Sequence, residues 1–340
     1  MVARSKVGFA VIGLGNIAQV AVLPAFRNCK NAKLVAVVGR DAQKSAQLAR
    51  KFKAASSYLS ENFAGCLANP AVSAIYIATP QNEHLRLTIQ AAKAGKHVLC
   101  EKPLATTVAH AAEMVEVCRR HRVLLMTAYR KYYEPSALAL KRLIQTGKLG
   151  RIDVIHTAFS ELHRPGVSQA WLLDSKIAGG GPLMDLGVYC VNTSRWLVEE
   201  DPTEAVAHIW VNDNERFRDV EEGISFRLQF PSRLVVQGSA SYGAVLSSFI
   251  FVQGTRGWAS LAPVFPFDEE RTFTGKILKR PFERKFKMID EFALEIDAFA
   301  FAIQNKRAIE ADGVQGLKDM VIMNAIYESA RTQRPVSIKY

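Results

Sequence analysis

The chain has 340 residues, 49% of them hydrophobic and 22% charged, and carries a formal net charge of +12. Its length suggests two or three globular domains with a core large enough to need no disulfide staples, and no stretch is long and apolar enough to span a bilayer. The five cysteines, Cys29, Cys66, Cys100, Cys118 and Cys190, fall in neither CxxC nor zinc spacing, so reduced thiols in a cytoplasmic protein without a metal are expected.

The first third alternates strand and helix patterns. The opening MVARSKVGFAVIG reads as a first strand rather than a leader. It runs into GLGNIA, residues 13 to 18, which opens a helix over NIAQVAVLPAFRN. Gly13 allows a tight turn, Gly15 lets the backbone approach a pyrophosphate, and Ala18 still permits close helix–strand packing. Asn16 and Ile17 stand at the helix head, whose free N–H groups and positive dipole end favour phosphate. The second strand, KLVAVVG, ends with Gly39 where a site for an unphosphorylated ribose places an acidic residue. Arg40 follows and Lys44 lies four beyond. A guanidinium suits a 2′-phosphate, so NADP(H) is expected, while Asp41 reads as the cap of the helix over DAQKSAQLARKF.

The strand SAIYIAT leads into ATPQNEH, residues 78 to 84, a loop where Thr79, Pro80 and Asn82 are cofactor candidates. His84 is carried with them, although a helix-start contact is its first reading. After the helix NEHLRLTIQAAKAG, the strand KHVLCE brings Glu101 and Lys102 to its carboxyl end beside the cofactor crevice, both as cofactor candidates, with Pro103 a candidate for a cis bond. A further helix, TTVAHAAEMVEVCRRH, and a strand, VLLMTAY, complete a doubly wound α/β domain over residues 1–127.

A helix over 135 to 146 precedes a change of rhythm. RIDVIHTAF, TEAVAHIWV, EGISFRLQF, RLVVQGSASY and VLSSFIFVQG alternate apolar and polar residues, as strands of an antiparallel sheet with one covered face do. A helix over 182 to 198 interrupts them, and helices over 289 to 305 and 312 to 332 follow. Residues 128–340 therefore read as an α+β domain with a large open sheet. The densest basic run, LKRPFERKFK at 278 to 287, comes without a nucleic-acid motif and reads as a solvated loop or edge strand.

The ordered set GLGNIA, ATPQNEH, GKHVLCEKPL, AYRKYYEP and GGGPLMDLGVYCVN resembles the glucose–fructose oxidoreductase and inositol dehydrogenase (Gfo/Idh/MocA) family over nearly the whole chain. The resemblance implies a Rossmann domain followed by a domain with an open, mostly antiparallel sheet. It also implies a site between the domains, a C-terminal helix packed back on the first domain, and a homo-oligomer, dimer or tetramer, formed through the sheet. It gives Lys102 the role of the Glu-Lys-Pro lysine and matches Asp185 and Tyr189 to the family's Asp-x-x-x-His/Tyr pair. Tyrosine at the second position looks like glucose–fructose oxidoreductases, NADP-dependent aldose dehydrogenases and dimeric dihydrodiol dehydrogenases. Arg130 is thereby a cofactor candidate and Tyr133 a substrate candidate.

Asp185 and Tyr189, four apart on a helix, share a face, and the glycines at 179 to 181 are expected to let the chain approach bound sugar or cofactor. The resemblance implies a hydride moved between nicotinamide and a sugar C–OH, as in an aldose (glucose or xylose) 1-dehydrogenase or a glucose–fructose oxidoreductase-like enzyme. Tyr189 is the base, its phenol favoured as phenolate by the Lys102 ammonium. Lys102 donates to the substrate oxygen, Asp185 orients the ring and Trp171 stacks on it. The alternatives are a dehydrogenase of trans-dihydrodiols or other cyclic alcohols, and a non-catalytic NADP(H) sensor; nucleic-acid binding and membrane association are not expected.

Overall fold

Short runs of buried aliphatic residues build the first sheet. In the computed structural model, which describes residues 5–163 and 170–340, these are Val7–Ile12 (β1), Ala32–Gly39 (β2), Ser56–Leu59 (β3), Ala74–Ile77 (β4), His97–Cys100 (β5) and Leu125–Thr127 (β6). The first four residues of the opening stretch lie outside the described residues. The strands pair in parallel in the order β3-β2-β1-β4-β5-β6. Every residue of β1 and β4 is buried, which is why their sequences run apolar without alternation. The chain order reverses beside β1, where the crevice at the carboxyl ends of the strands opens.

The chain divides into two units, residues 1–130 with 290–317, and residues 131–289 with 318–340. The helix Glu291–Asn305, although late in the chain, belongs to the first unit. Phe299 sets its ring edge-on to Phe9 of β1 at 6.1 Å. The Asp297 carboxylate accepts the backbone N–H groups of Lys30 and Asn31 at 2.7 and 2.8 Å.

The second unit carries a nine-stranded sheet of Ile152–Ser160 (β7), Glu204–Trp210 (β8), Gly223–Gln229 (β9), Val235–Ser241 (β10), Ser247–Gly254 (β11), Gly257–Ala262 (β12), Arg271–Ile277 (β13), Arg280–Phe286 (β14) and Val336–Ser337 (β15). All neighbours are antiparallel except β7 and β10. The sheet is thus mostly antiparallel, as expected. The basic run at 278 to 287 is the turn and outer strand of the β13–β14 hairpin. β14 lies at the sheet edge with most of its side chains exposed, where charge opposes edge-to-edge association.

A buried ionic network closes this unit around the helix Val188–Val198. Arg195, 3% exposed, donates to Asp319 at 2.5 Å and to Asp201, which also meets Lys318. Asn192 donates to Asp319 at 2.7 Å and to the Tyr132 hydroxyl at 3.1 Å, and the Tyr132 ring stacks on Trp196 at 4.7 Å. Burial pushes the Asp201 carboxyl up, but the Lys318 and Arg195 donors outweigh it and hold it below the usual carboxylate range. A depressed folded value means that its stabilisation is complete above about pH 4 and fades as pH falls through the folded value. Asp201→Asn is expected to flatten the acid-side fall of unfolding free energy below about pH 4, measured by denaturant titration across pH.

Candidate active site

Gly13 ends β1 with φ +94°, and a Cβ there would come within 2.4 Å of the Ala78 carbonyl oxygen, so only glycine fits the turn. Gly15 differs, because a Cβ built on it meets nothing within 4 Å. The space before it is open to a bulky anion. Asn16 and Ile17 begin the helix that follows, but this is not the plain α-helix the sequence suggests. Residues Ala18–Val22 form a π turn in which the Leu23 N–H reaches back to Ala18. Pro24 supplies the reason: it has no N–H, and its ring would strike the carbonyl four residues back in a regular α turn.

At the end of β2 the expected acidic position has no room. A Cβ on Gly39 would sit 2.6 Å from the Ser45 hydroxyl and 2.7 Å from Leu14 Cδ1. Arg40 and Lys44 are exposed beside it. Asp41 is occupied as a cap, accepting the Lys44 N–H at 2.9 Å. After β4, Thr79 and Pro80 are half-buried and Asn82 is exposed. The Thr79 Oγ1 and Gln81 Oε1 atoms are buried without a hydrogen-bond partner among the described residues. Open space at Gly15, a cation after β2 and two orphaned polar atoms after β4 fit a phosphorylated dinucleotide.

His84 does not line open space. It is fully buried, with Nε2 3.0 Å from the Thr79 carbonyl and Nδ1 3.2 Å from that of Leu104. Burial lowers its pKa, so the neutral ring braces the loops after β4 and β5 together. The Lys102–Pro103 bond is cis, as the sequence suggested. The Glu101 carboxylate accepts the Tyr76 hydroxyl at 2.8 Å and the Lys102 backbone N–H at 3.2 Å, and the Lys102 side chain is half-exposed. Arg130, placed with the cofactor residues from the sequence, is 5% exposed. Its Nε lies 3.7 Å from Glu291, and its guanidinium covers the Phe292 ring at 5.3 Å. Glu291 and Phe292 are thus its neighbours in the first unit.

In the second unit the three glycines have separate tasks. Gly179, at φ +79°, caps the short helix Ser175–Ala178 in the left-handed conformation. A Cβ on Gly180 would lie 2.2 Å from the Tyr327 hydroxyl, and one on Gly181 would lie 2.6 Å from the Glu221 backbone oxygen. The close approach is therefore to protein. The Glu221 carboxylate accepts the N–H groups of Gly181 and Leu183, each at 3.0 Å, and the Tyr327 hydroxyl at 2.8 Å. Burial raises the Glu221 carboxyl and these donors pull it partly back.

Glu221 thus holds the start of a π turn, Leu183–Gly187, in which the Val188 N–H bonds Leu183. The α-helix Val188–Val198 continues from it. Asp185 stands in the π turn and Tyr189 in the first α turn, so the four-residue spacing is kept but the helix between them is wider than expected. Tyr189 is 8% exposed, in a wall formed by Phe159 at 5.7 Å and Phe265 at 5.6 Å between ring centres. Tyr133 and Trp171, also in this unit, are half-buried.

Two residues missed in the sequence adjoin this pair. Tyr242, just beyond β10, donates to Asp185 Oδ2 at 3.1 Å. Burial and the Asp185 charge push its phenol far up, so it stays a donor. The His163 ring lies 4.2 Å from that of Tyr242, and burial holds its pKa below the usual value against the pull of Asp185 and Glu161. The only available signal was a tyrosine closing an alternating strand. Glu221→Ala removes the acceptor of three donors and is expected to lower unfolding free energy by about 2–5 kcal/mol, read by denaturant titration.

Comparison with known proteins agrees with both units. Residues 7–129 match the family model described as an oxidoreductase family with an NAD-binding Rossmann fold, and residues 137–260 match the GFO/IDH/MocA C-terminal domain. An NADP(+) D-xylose 1-dehydrogenase of Haloarcula marismortui is 33% identical, with 98% of this chain and 94% of that protein covered. An aldose–aldose oxidoreductase from Caulobacter crescentus, crystallised with glycerol, superposes with a TM-score of 0.93 at 31% identity, covering 98% of this chain and all of that one. A trans-1,2-dihydrobenzene-1,2-diol dehydrogenase of Mus musculus is 30% identical over 67% of this chain and 66% of its own length. Matched in both halves and similar from end to end to such relatives, the chain belongs to the Gfo/Idh/MocA oxidoreductase family.

Proposed function

We propose that the protein is an NADP-dependent oxidoreductase that oxidises the C1 hydroxyl of an aldose, glucose or xylose, to the lactone. The observation that carries the reading is the pair Asp185 and Tyr189, two polar side chains at one helix head beside the aromatic rings of Phe159 and Phe265. The end-to-end similarity to a xylose dehydrogenase and an aldose oxidoreductase supports the sugar as substrate class.

The nicotinamide, when bound, accepts the hydride from the sugar carbon. Tyr189 takes the hydroxyl proton, and the Lys102 ammonium donates to the sugar oxygen and favours the phenolate. Asp185, kept in orientation by Tyr242, accepts hydrogen bonds from ring hydroxyls. The aromatic wall beside Tyr189 limits water around the forming carbonyl. Gly13, Gly15, Asn16 and Ile17 hold the pyrophosphate, and Arg40 with Lys44 holds the 2′-phosphate. Thr79, Pro80 and Asn82 border the ribose and nicotinamide, and Thr79 Oγ1 is free to bond it. Tyr133 and Trp171 are assigned to the sugar.

Five buried cysteines without a disulfide support a cytoplasmic setting. A homo-oligomer through the open face of the nine-stranded sheet is supported by half-buried Phe249, Phe251 and Trp258 and by a shallow cavity of about 610 Å³ lined by His156, Arg227 and Gln237.

Tyr189→Phe is expected to lower kcat by about 10²–10⁴-fold while the NADP Kd, measured by fluorescence titration, moves less than about threefold. Near-normal turnover in that variant would assign the base elsewhere. Arg40→Ser is expected to weaken NADP binding by about 10–100-fold and leave NAD binding nearly unchanged, since a charge-assisted bond is worth about 1.5–3 kcal/mol.

A further inference from the structure

Beneath the Glu-Lys-Pro turn, the first unit gathers three carboxyl groups, two of them buried. Glu291 and Glu295, 1% and 0% exposed, stand four apart on one face of the helix Glu291–Asn305. Tyr76 from β4, itself fully buried, reaches from its hydroxyl to Glu101 Oε1 at 2.8 Å and to Glu295 Oε1 at 3.4 Å. Among the described residues, the cations that act on this cluster include Arg130, beside Glu291, and Lys102, next to Glu101. Three carboxylates would thus share the charge of one buried guanidinium and one half-exposed ammonium.

The hydrogen-bond directions resolve the imbalance. A phenol has one proton and donates to one oxygen. Tyr76 makes its shorter bond to Glu101, so its contact with Glu295 is favourable only if Glu295 carries a proton and donates back. Glu295 Oε2 is buried with no hydrogen-bond partner among the described residues, which is costly for a carboxylate oxygen and far less so for the carbonyl of a neutral acid. Burial, reinforced by the charge of Glu101, raises the Glu295 carboxyl well above its usual range.

We propose that Glu295 is held as a neutral carboxylic acid and heads a one-way hydrogen-bond chain, Glu295 to Tyr76 to Glu101, that positions Lys102. In this chain Glu295 donates to the Tyr76 oxygen, and Tyr76 donates to Glu101. Burial raises the Glu101 carboxyl, while the Lys102 charge and then the Tyr76 bond favour its ionised form. Ionised Glu101 in turn accepts the Lys102 backbone N–H and keeps a counter-charge beside the ammonium. Tyr76 and Glu295 are positioning residues that act through Glu101. The use of Lys102 in catalysis rests on the proposed function, but the protonation and the chain do not.

The test uses the whole purified protein and needs no turnover. Infrared absorption at neutral pH is compared between the wild type and Glu295→Gln, and labelling of the Lys102 amine by an acylating reagent is followed against pH by peptide mass spectrometry. The protonated-carboxyl band is expected in the wild type and lost in Glu295→Gln. That variant, neutral for neutral, is expected to keep the thermal midpoint and the Lys102 labelling profile. Tyr76→Phe is expected to speed Lys102 labelling at neutral pH about 3–10-fold, because Glu101 loses the donor that keeps it charged. Absence of the band from the wild type would overturn the neutral acid. A band with an unchanged labelling profile in a folded Tyr76→Phe protein would overturn the chain. Silence toward every sugar with both expected results in place would count against the proposed function alone.

Discussion

The Glu221 carboxylate is the fixed point on which the polar half of the second unit depends. Three donors converge on it, two of them backbone N–H groups from the stretch that starts the helix of Asp185 and Tyr189. To come that close, the backbone at Gly180 and Gly181 gives up side chains, and Gly179 turns left-handed to deliver it. The π turn follows from the same anchoring: Leu183 is tied by its N–H to Glu221 and by its carbonyl to the Val188 N–H. A run of glycines that looks flexible is in fact one of the most constrained passages of the chain.

The first unit uses polar groups in the same way, as braces between loops that the sheet alone would leave independent. Neutral His84 ties the loop of Thr79 to the loop of Leu104. Tyr76, the polar member of a strand otherwise made of alanine and isoleucine, ties β4 to Glu101 and to the late helix. Both braces lie where ligands bind on parallel sheets, at the carboxyl ends of the strands. Rigid loops there keep a reacting geometry set in advance, so little ordering remains to be done on binding.

Much of the fold could be read in the sequence because burial on both faces writes itself as uninterrupted apolar runs, as in β1 and β4. The alternation of β9 and β10 likewise marked a sheet with one covered face. The hairpin of β13 and β14 was harder: most of its outer strand is exposed, so Arg280, Arg284 and Lys285 left a loop and an edge strand equally open. The π turn at Leu183–Gly187 left no signature, since a bond to the fifth residue back needs no special residue type. At the site, Lys102, Asp185 and Tyr189 were visible through motif and spacing, whereas Glu221, Tyr242 and Tyr327 were not. Their partners lie 40, 57 and 106 residues away in the chain. Arg130 and His84 show the reverse. Both stand in suggestive motifs, and both side chains are buried among protein neighbours.

The proposed transfer of a hydride between NADP and the C1 hydroxyl of an aldose can be followed directly. The most direct measurement is the rise of reduced-nicotinamide absorbance when the purified protein meets NADP⁺ or NAD⁺ with a panel of aldoses, polyols and trans-dihydrodiols. Turnover with glucose or xylose is expected, with a preference for NADP⁺ over NAD⁺. Turnover confined to the dihydrodiols, or a preference for NAD⁺, would contradict it.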